Sequence, residues 1–392
     1  MSGPSVILGA ARTPIGGFLG GLAPLRAPEL GAIAIRAAVE RSGVPSDVID
    51  EVFMGSVVQA GVGQAPARQA SLGAGLSRSV PCTTINKVCG SGLKAVMLAA
   101  SQLAAGEYGV IVAGGMESMS NAPYLLRGLR QGLPLGAHVM EDANLTDGLV
   151  DAYGGGHMGL GGEQAAAKTG LSREDQDRFA FRSYEKALAA QKSGAFDAEI
   201  VAVEVQDRRG KVSRIERDET PRETSLEALA GLKPAFKTDG TVTAGNASKL
   251  NDGAAAVVVA SASRAVELGA APLARIVAQA QFAHEPELFL LAPTGAIAKV
   301  LEKAGWTVAD VDLYEVNEAF SGVEAVRREL GIPDDRFNVH GGAVALGHPI
   351  GASGARLLVT LLFALRARGT RRGVVSLCLG GGEAVALAIE AV

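Results

Sequence analysis

Along the first 118 residues, short apolar runs alternate with longer stretches whose apolar residues recur at helical spacing. Residues 5–10, 51–57, 81–85 and 109–114 read as strands, and residues 30–42, 63–73 and 93–105 as helices. This alternation predicts a parallel or mixed α/β sheet with helices on its faces. From residue 119 to 250 the texture changes to loops rich in Gly, Asn and Asp. One strong helix, 172–193, opens there on a capping box, Ser172-Arg173-Glu174-Asp175, and a polar strand follows at 199–205. The stretch has apolar positions of its own, so it reads as an inserted domain rather than a linker. An apolar strand at 252–260 returns the chain to the first sheet.

The last third repeats the first. Gly31-Ala32-Ile33-Ala34 recurs as Gly295-Ala296-Ile297-Ala298, 264 residues on. Residues 43–50 find counterparts in 305–312, and Ser91-Gly92 in Ser353-Gly354, both 262 residues on. Three offsets agreeing within two residues indicate a duplicated α/β unit. The expected division is a first half over 1–118 completed by 251–271, an insertion over 119–250, and a second half over 272–392. Helices 93–105 and 355–365 match each other and are apolar nearly all round, which places both in the interior. Laid side by side between two sheets they give five layers, αβαβα, and bring Cys89 and the segment before Ser353 to one end.

Composition narrows the functional classes. Apolar residues make up 48% and charged residues 20%, a globular rather than a disordered balance. Net charge is −4 with both signs interspersed, so neither a nucleic-acid stripe nor a membrane-binding basic patch is expected. The basic stretch 208–217 reads as a solvated edge. Cys82, Cys89 and Cys378 show no paired spacing, and His138, His157, His284, His340 and His348 no metal-ligand spacing. A reducing compartment without a metal or disulfide framework is expected. No uninterrupted apolar run reaches the roughly 18 residues of a membrane span, and no leader pattern precedes the first strand. Cytoplasm is the expected location.

Candidate chemistry starts at Asn86-Lys87-Val88-Cys89-Gly90-Ser91-Gly92. A thiol at the mouth of a helix feels the positive end of its dipole and unpaired N–H groups, which favour thiolate. A lone cysteine equally suits a buried structural place. His348, on a loop of glycines and a proline before Ser353, suits a base for such a thiol. Cys378 ends the strand 374–377 ahead of Gly380-Gly381-Gly382, and Asn317 follows a strand in the second copy. Two thiols, an imidazole, an amide and exposed glycine N–H groups together fit acyl transfer followed by proton removal beside a carbonyl.

These segments carry a family resemblance. The 86–92 segment, Gly114-Gly115-Met116-Glu117-Ser118-Met119-Ser120, Asn317-Glu318-Ala319-Phe320, Gly347-His348-Pro349-Ile350-Gly351 and Cys378-Leu379-Gly380-Gly381 are similar to the motifs of thiolases, in order along essentially the whole chain. The resemblance implies a five-layered duplicated fold with a loop domain, and a homotetramer built from two dimers. It implies reversible Claisen condensation of two acetyl-CoA to acetoacetyl-CoA and CoA. Cys89 would carry the acyl group, His348 activate it, and Cys378 move a proton at the methyl carbon. One oxyanion hole would be His348 with a water held by Asn317, the other the N–H groups of Cys89 and Gly380. For coenzyme A, a substrate rather than a cofactor, it implies contacts from Arg222, Ala244, Gly245, Ser248 and Ala319. His157 and Met158 would narrow the acyl pocket, as in the short-chain biosynthetic subgroup. Departures from the family pattern are Gly154-Gly155-Gly156, Gly161-Gly162 and Lys249, all touching this pocket. Alternatives are a degradative 3-ketoacyl-CoA thiolase, a decarboxylating ketoacyl synthase, and a non-catalytic lipid carrier on the same fold. Cys378 weighs against the synthase and an intact constellation against the carrier. No Gly-x-Gly-x-x-Gly opens a helix after the first strand, which weighs against a dinucleotide site.

Overall fold

The first strand is buried along its whole length, which places it within a sheet rather than on a solvated edge. In the computed structural model, which describes residues 4–206 and 209–392, it lies where two half-sheets meet. Arg208, the start of the basic stretch, lies outside the described residues. One half-sheet comprises β1 (Ser5–Arg12), β2 (Glu51–Gly55), β3 (Cys82–Ile85), β4 (Val110–Ser118) and β5 (Asn251–Ser261). The other comprises β6 (Ala274–Ala283), β7 (Leu313–Val316), β8 (Arg372–Leu379) and β9 (Glu383–Ala391). Their order across the sheet is β7-β8-β9-β6-β1-β5-β4-β2-β3. In the first half, β1·β5 and β5·β4 are antiparallel, β4·β2 and β2·β3 parallel. The second half repeats the sequence of pairings: β6·β9 and β9·β8 antiparallel, β8·β7 parallel, then a parallel bridge from Tyr314 to Phe337. Val6–Arg275 and Ile7–Ala274 join β1 to β6.

The duplication reaches individual hydrogen bonds. Asp50 Oδ2 accepts from the N–H groups of Gly109 and Val110 at 2.7 and 2.8 Å. Asp312 Oδ2 accepts from those of Arg371 and Arg372 at 3.0 and 2.8 Å, every residue 262 positions on. Each carboxylate fixes the entry to a central strand. Gly43 and Gly305, the same distance apart, end their helices in the left-handed conformation at φ 71° and 68°.

Helices α1 (Ala27–Ser42) and α5 (Ala292–Ala304) cover the outer faces of the two half-sheets. Helices α2 (Ser91–Ala105) and α6 (Ile350–Arg368) fill the layer between them, where Leu93, Val96, Leu357, Leu358 and Leu361 form one core with β1, β5, β8 and β9. That is the five-layered arrangement. The spans Val88–Ala105 and Ile350–Arg368 are long and, on average, apolar enough to cross a membrane, although Lys94 and Arg356 interrupt their apolar runs. In the second, 83% is already covered by protein, which accounts for an apolar character on every side.

Two glycines let the central helices touch. A Cβ on Gly92 would lie 2.9 Å from Ala355 N, and one on Gly354 would lie 2.5 Å from Leu93 N. The starts of α2 and α6 therefore abut, and the loops before them reach the same end of the molecule.

The insertion contains α3 (Met158–Thr169) and α4 (Arg173–Ser193). Its apolar positions close on one another and against the body: Ala180, Tyr184, Ala187 and Phe196 pack with Ile15, Val344, Ala345 and Leu346. The strand expected at 199–205 is confined to Val203–Gln206, paired with Val212–Ile215. Glu315 and Val316 lie inside β7 rather than after it, so only Asn317 onward forms the loop.

Candidate active site

The loop between β3 and α2 is wound tightly. Val88 adopts φ 45°, a left-handed conformation that a β-branched residue takes only under constraint. The constraint comes from both sides. Val88 N–H donates to Asn86 Oδ1 at 3.0 Å, Lys87 N–H donates to Ser91 Oγ at 2.8 Å, and Ser91 Oγ–H donates to Val88 O at 2.7 Å. Gly90 completes the elbow because a Cβ there would meet Leu379 Cδ2 at 2.2 Å. The end of β8 thus lies directly on the Cys89 loop.

Cys89 does not have the low pKa its helix position predicts. The helix begins only at Ser91, and desolvation pushes the thiol up to about 12, against the smaller opposing effect of backbone N–H groups of Cys89 and Gly380. Those two donors are the ones expected to form an oxyanion hole. Cys378, fully buried on β8, is also pushed well above the ordinary thiol value, first by burial and then by charge on Cys89. All three cysteines are free.

His348 is buried and its tautomer is fixed. Ser353 Oγ–H donates to Pro349 O at 2.9 Å, so the oxygen is left to accept from His348 Nδ1–H at 2.6 Å. Nε2 therefore carries a lone pair, and Asn317 Nδ2 approaches it at 3.4 Å. Burial, aided by the Arg356 cation, holds this imidazole down to about 3, so it is neutral. Asn251 Oδ1 accepts from His348 N–H at 2.9 Å and passes so close to Gly347 (φ 105°) that a Cβ would be 2.4 Å away. Asn317 Oδ1 is buried without a partner among the described residues, which leaves an acceptor for a bound water.

Two carboxylates within the motifs brace these loops. Glu117 accepts from Val57, Val58 and Gly351 N–H groups at 3.0, 3.2 and 2.9 Å, and burial pushes it up to about 7. Glu318 accepts from Ser183 Oγ, Asn338 Nδ2 and Val344 N at 2.6, 2.9 and 3.2 Å. Ser353, Glu117, Glu318 and Asn251 were not read as site residues from sequence. Three of them fall inside the quoted motifs or a repeated Ser-Gly pair, but the bond that matters in Ser353 is to a histidine side chain one turn away, and the partners of Glu117, Glu318 and Asn251 are remote in the chain.

A cavity of about 730 Å³ leads to this end of the molecule, a volume suited to a sizeable organic ligand. Its wall includes His348, Arg222, Ala244, Ser248 and His157 among the expected residues. Cys89 packs on Met119 and Ile350, which also line it. Gly245 and Ala319 stand outside that wall. A Cβ on Gly245 would meet Leu229 and Leu232 at 2.6 Å, and Ala319 O accepts from Ser248 N–H at 3.0 Å. Met158 lines a separate pocket of about 150 Å³ beside His157 and lies near Gly380. His157 caps α3 by accepting from Gly159 N–H at 3.0 Å and stacks on Phe236 at 4.5 Å. The glycines around it have a reason: Cβ atoms on Gly159 and Gly161 would penetrate the Phe236 and Phe289 rings at 2.2 and 2.6 Å. Among the described residues, no cluster of three or more His, Cys, Asp or Glu side chains could hold a metal ion.

Comparison with known proteins gives one answer along the full chain. The family model "Thiolase, N-terminal domain" matches residues 5–263, and "Thiolase, C-terminal domain" matches 270–391. An acetyl-CoA acetyltransferase of Chromobacterium violaceum is 52% identical over 386 residues, covering 98% of each chain. One of Cupriavidus necator is 52% identical over 387 residues, again covering 98% of each. The crystal structure of the Bacillus anthracis acetyl-CoA acetyltransferase superposes with a TM-score of 0.98 at 43% identity, covering 100% of this chain and 99% of that one.

Proposed function

The chain belongs to the thiolase family, and from that premise we propose that it is an acetyl-CoA C-acetyltransferase, interconverting two acetyl-CoA with acetoacetyl-CoA and CoA. The observation that carries the reading is convergence. Cys89 faces the Gly380 N–H and Cys378 and packs on Ile350, which shares the wall of the cavity of about 730 Å³ with His348, the partner of Asn317.

In the first half-reaction His348 Nε2 takes the Cys89 proton as the sulfur attacks the acetyl carbonyl. The oxyanion develops toward the N–H groups of Cys89 and Gly380. Preorganised donors of this kind are worth about 3–4 kcal/mol each. Collapse forms the Cys89 thioester, and the proton leaves with the CoA sulfur. In the second, Cys378 gives its thiol proton to His348 Nε2 and, as a thiolate, removes a proton from the methyl group of another acetyl-CoA. The enolate oxygen accepts from the His348 Nε2–H so formed and from a water on Asn317, and its carbon attacks the thioester. The Cys89 sulfur leaves and takes the proton from His348, while Cys378 keeps the methyl proton as a thiol. Acetylation holds the Cys89 sulfur uncharged while Cys378 ionises, so two thiolates do not share the pocket.

Arg222, Ala244 and Ser248 are proposed to line the CoA path, with Gly245 and Ala319 shaping it from behind. The stacked His157–Phe236 pair, with Met158, is proposed to limit acyl length. Coenzyme A enters only as substrate, with no further cofactor. A cytoplasmic homotetramer is proposed; exposed Leu129, Leu135, Val139 and Met140 on the segment after β4 support an assembly surface. The test is mass spectrometry of the intact protein after mixing with acetyl-CoA. One acetyl group on Cys89, removed by free CoA, is expected. Absence of an adduct, or one on another residue, would overturn the reading.

A further inference from the structure

Lys249 lies in the segment 247–251 that crosses the cavity wall, and its ammonium group turns inward onto protein oxygens. It donates to Tyr184 Oη at 2.7 Å and to Val344 O at 2.9 Å, and lies 5.1 Å from the centre of the Tyr184 ring. Val344 belongs to the four-residue turn Ala343–Leu346 that runs into Gly347 and His348. The N–H of that same residue donates to Glu318 Oε2 at 3.2 Å. One residue before the base, Val344, is thus held by a carboxylate at its N–H and an ammonium at its C=O, which fixes the two successive peptide groups on either side of it. Charged hydrogen bonds are the stronger kind, and each opposes rotation of the turn.

We propose that Lys249 is a positioning residue for the reaction, clamping the 343–346 turn with Glu318 so that the His348 ring is held toward Cys89. The proposal rests on His348 being the base named above. The connections around Lys249 support it. Its neighbour Ser248 donates its N–H to Ala319 O at 3.0 Å, two residues beyond Asn317. Asn251, two residues on, holds His348 N–H at 2.9 Å. The segment 248–251 therefore touches both the Asn317 loop and the His348 loop, and Lys249 ties it to α4 through Tyr184. Arg222 also lies over the Tyr184 ring, at 5.9 Å from its centre. Burial and Arg222 hold the amine down to about 8, an ammonium at neutral pH that the two oxygen acceptors retain.

The test is steady-state thiolysis of acetoacetyl-CoA by Lys249→Met and Lys249→Ala, followed by loss of substrate absorbance, with melting temperatures recorded in parallel. Loss of one or two charged hydrogen bonds should lower kcat by about 10- to 100-fold while KM changes by less than about threefold. Lys249→Ala leaves a space between Tyr184 Oη and Val344 O. Ammonium or methylammonium ions should restore kcat saturably in that variant and do nothing for wild type. Unchanged kcat in both variants would overturn the clamp. So would a loss confined to KM, which would make Lys249 a contact for the substrate phosphates. A loss without amine rescue, accompanied by a fall in melting temperature, would reduce it to packing. An inactive wild-type enzyme would instead remove the functional reading on which the clamp depends.

Discussion

Resting Cys89 should be a thiol beside a neutral imidazole, not a thiolate–imidazolium pair, and alkylation kinetics can show which. Burial places the thiol at about 12 and the imidazole at about 3. The two values lie about nine pH units apart, on the order of 12 kcal/mol against moving the proton in the empty site, of which about 4 kcal/mol is returned by the attraction of ions about 4 Å apart at an effective dielectric of about 20. A turnover of about 10 s⁻¹ corresponds to a total barrier of about 16 kcal/mol. A fully formed ion pair would take up about half of that barrier before any bond to carbon formed. On the proposed mechanism proton transfer therefore accompanies attack, when charge passes from sulfur to the oxyanion. The perturbation is pH, in wild type and His348→Ala; the assay is the rate of inactivation by iodoacetamide, with peptide mapping to follow Cys89 separately from Cys82 and Cys378. Both proteins should show rates rising about tenfold per pH unit through pH 9. A plateau beginning below pH 8 in wild type, abolished in His348→Ala, would refute the reasoning by revealing a preformed thiolate.

Three further outcomes are expected. Ser353→Ala frees Nδ1 of His348 and its tautomer, and should lower kcat/KM by about 10- to 100-fold, measured by thiolysis of acetoacetyl-CoA. Phe236→Ala opens the wall stacked on His157 and should raise the rate ratio of a medium-chain 3-ketoacyl-CoA to acetoacetyl-CoA; a wild type that already prefers the longer substrate would contradict the acyl-length assignment. His340, held down to about 4 by burial, binds fewer protons folded than unfolded between pH 6.5 and 4, so its contribution to stability falls as pH drops through that window. In urea titrations His340→Gln should gain on wild type across it, by roughly 3 kcal/mol at pH 4 if its packing is preserved.

The chain announces its architecture through local pattern. The apolar character of 93–105 and 355–365 on all sides required a central layer, and Ser91-Gly92 with Ser353-Gly354 placed the two helix starts together. Pattern of this kind also carried Cys89, His348 and Cys378, because glycines and strand ends mark them. What it did not carry depends on contacts between distant residues. Ser353 looks like a helix opener until its hydroxyl is seen to donate to Pro349 O and accept from His348. Glu117 and Glu318 are motif letters whose partners lie 26 to 234 residues away, apart from the nearer Asn338. The thiol's high pKa was missed because dipole and N–H groups are legible from local sequence, whereas desolvation depends on everything packed around the sulfur.

The duplication also explains why chemistry gathers at only one of two equivalent contacts. In each copy, the strand running toward the centre ends on the helix start of the other. Leu379, at the end of β8, lies against Gly90 before α2; 262 residues earlier, Glu117 near the end of β4 lies against Gly351 at the start of α6. The position equivalent to Cys89 at that offset is Gly351, and the equivalent of Cys378 is Met116. A side chain on Gly351 would lie 2.8 Å from Glu117 Oε2, so one contact is a closed staple of a carboxylate on three N–H groups. The other has Leu379 in place of the carboxylate, and there the backbone N–H groups of Cys89 and Gly380 face the Cys89 sulfur. Glu117→Gln forfeits acceptor capacity at the staple while touching neither sulfur. It should therefore destabilise the protein by about 1–3 kcal/mol in urea titrations. Acetylation of Cys89 should survive in the fraction that remains folded. Loss of acetylation at full stability would mean that the two contacts have not divided structure from chemistry.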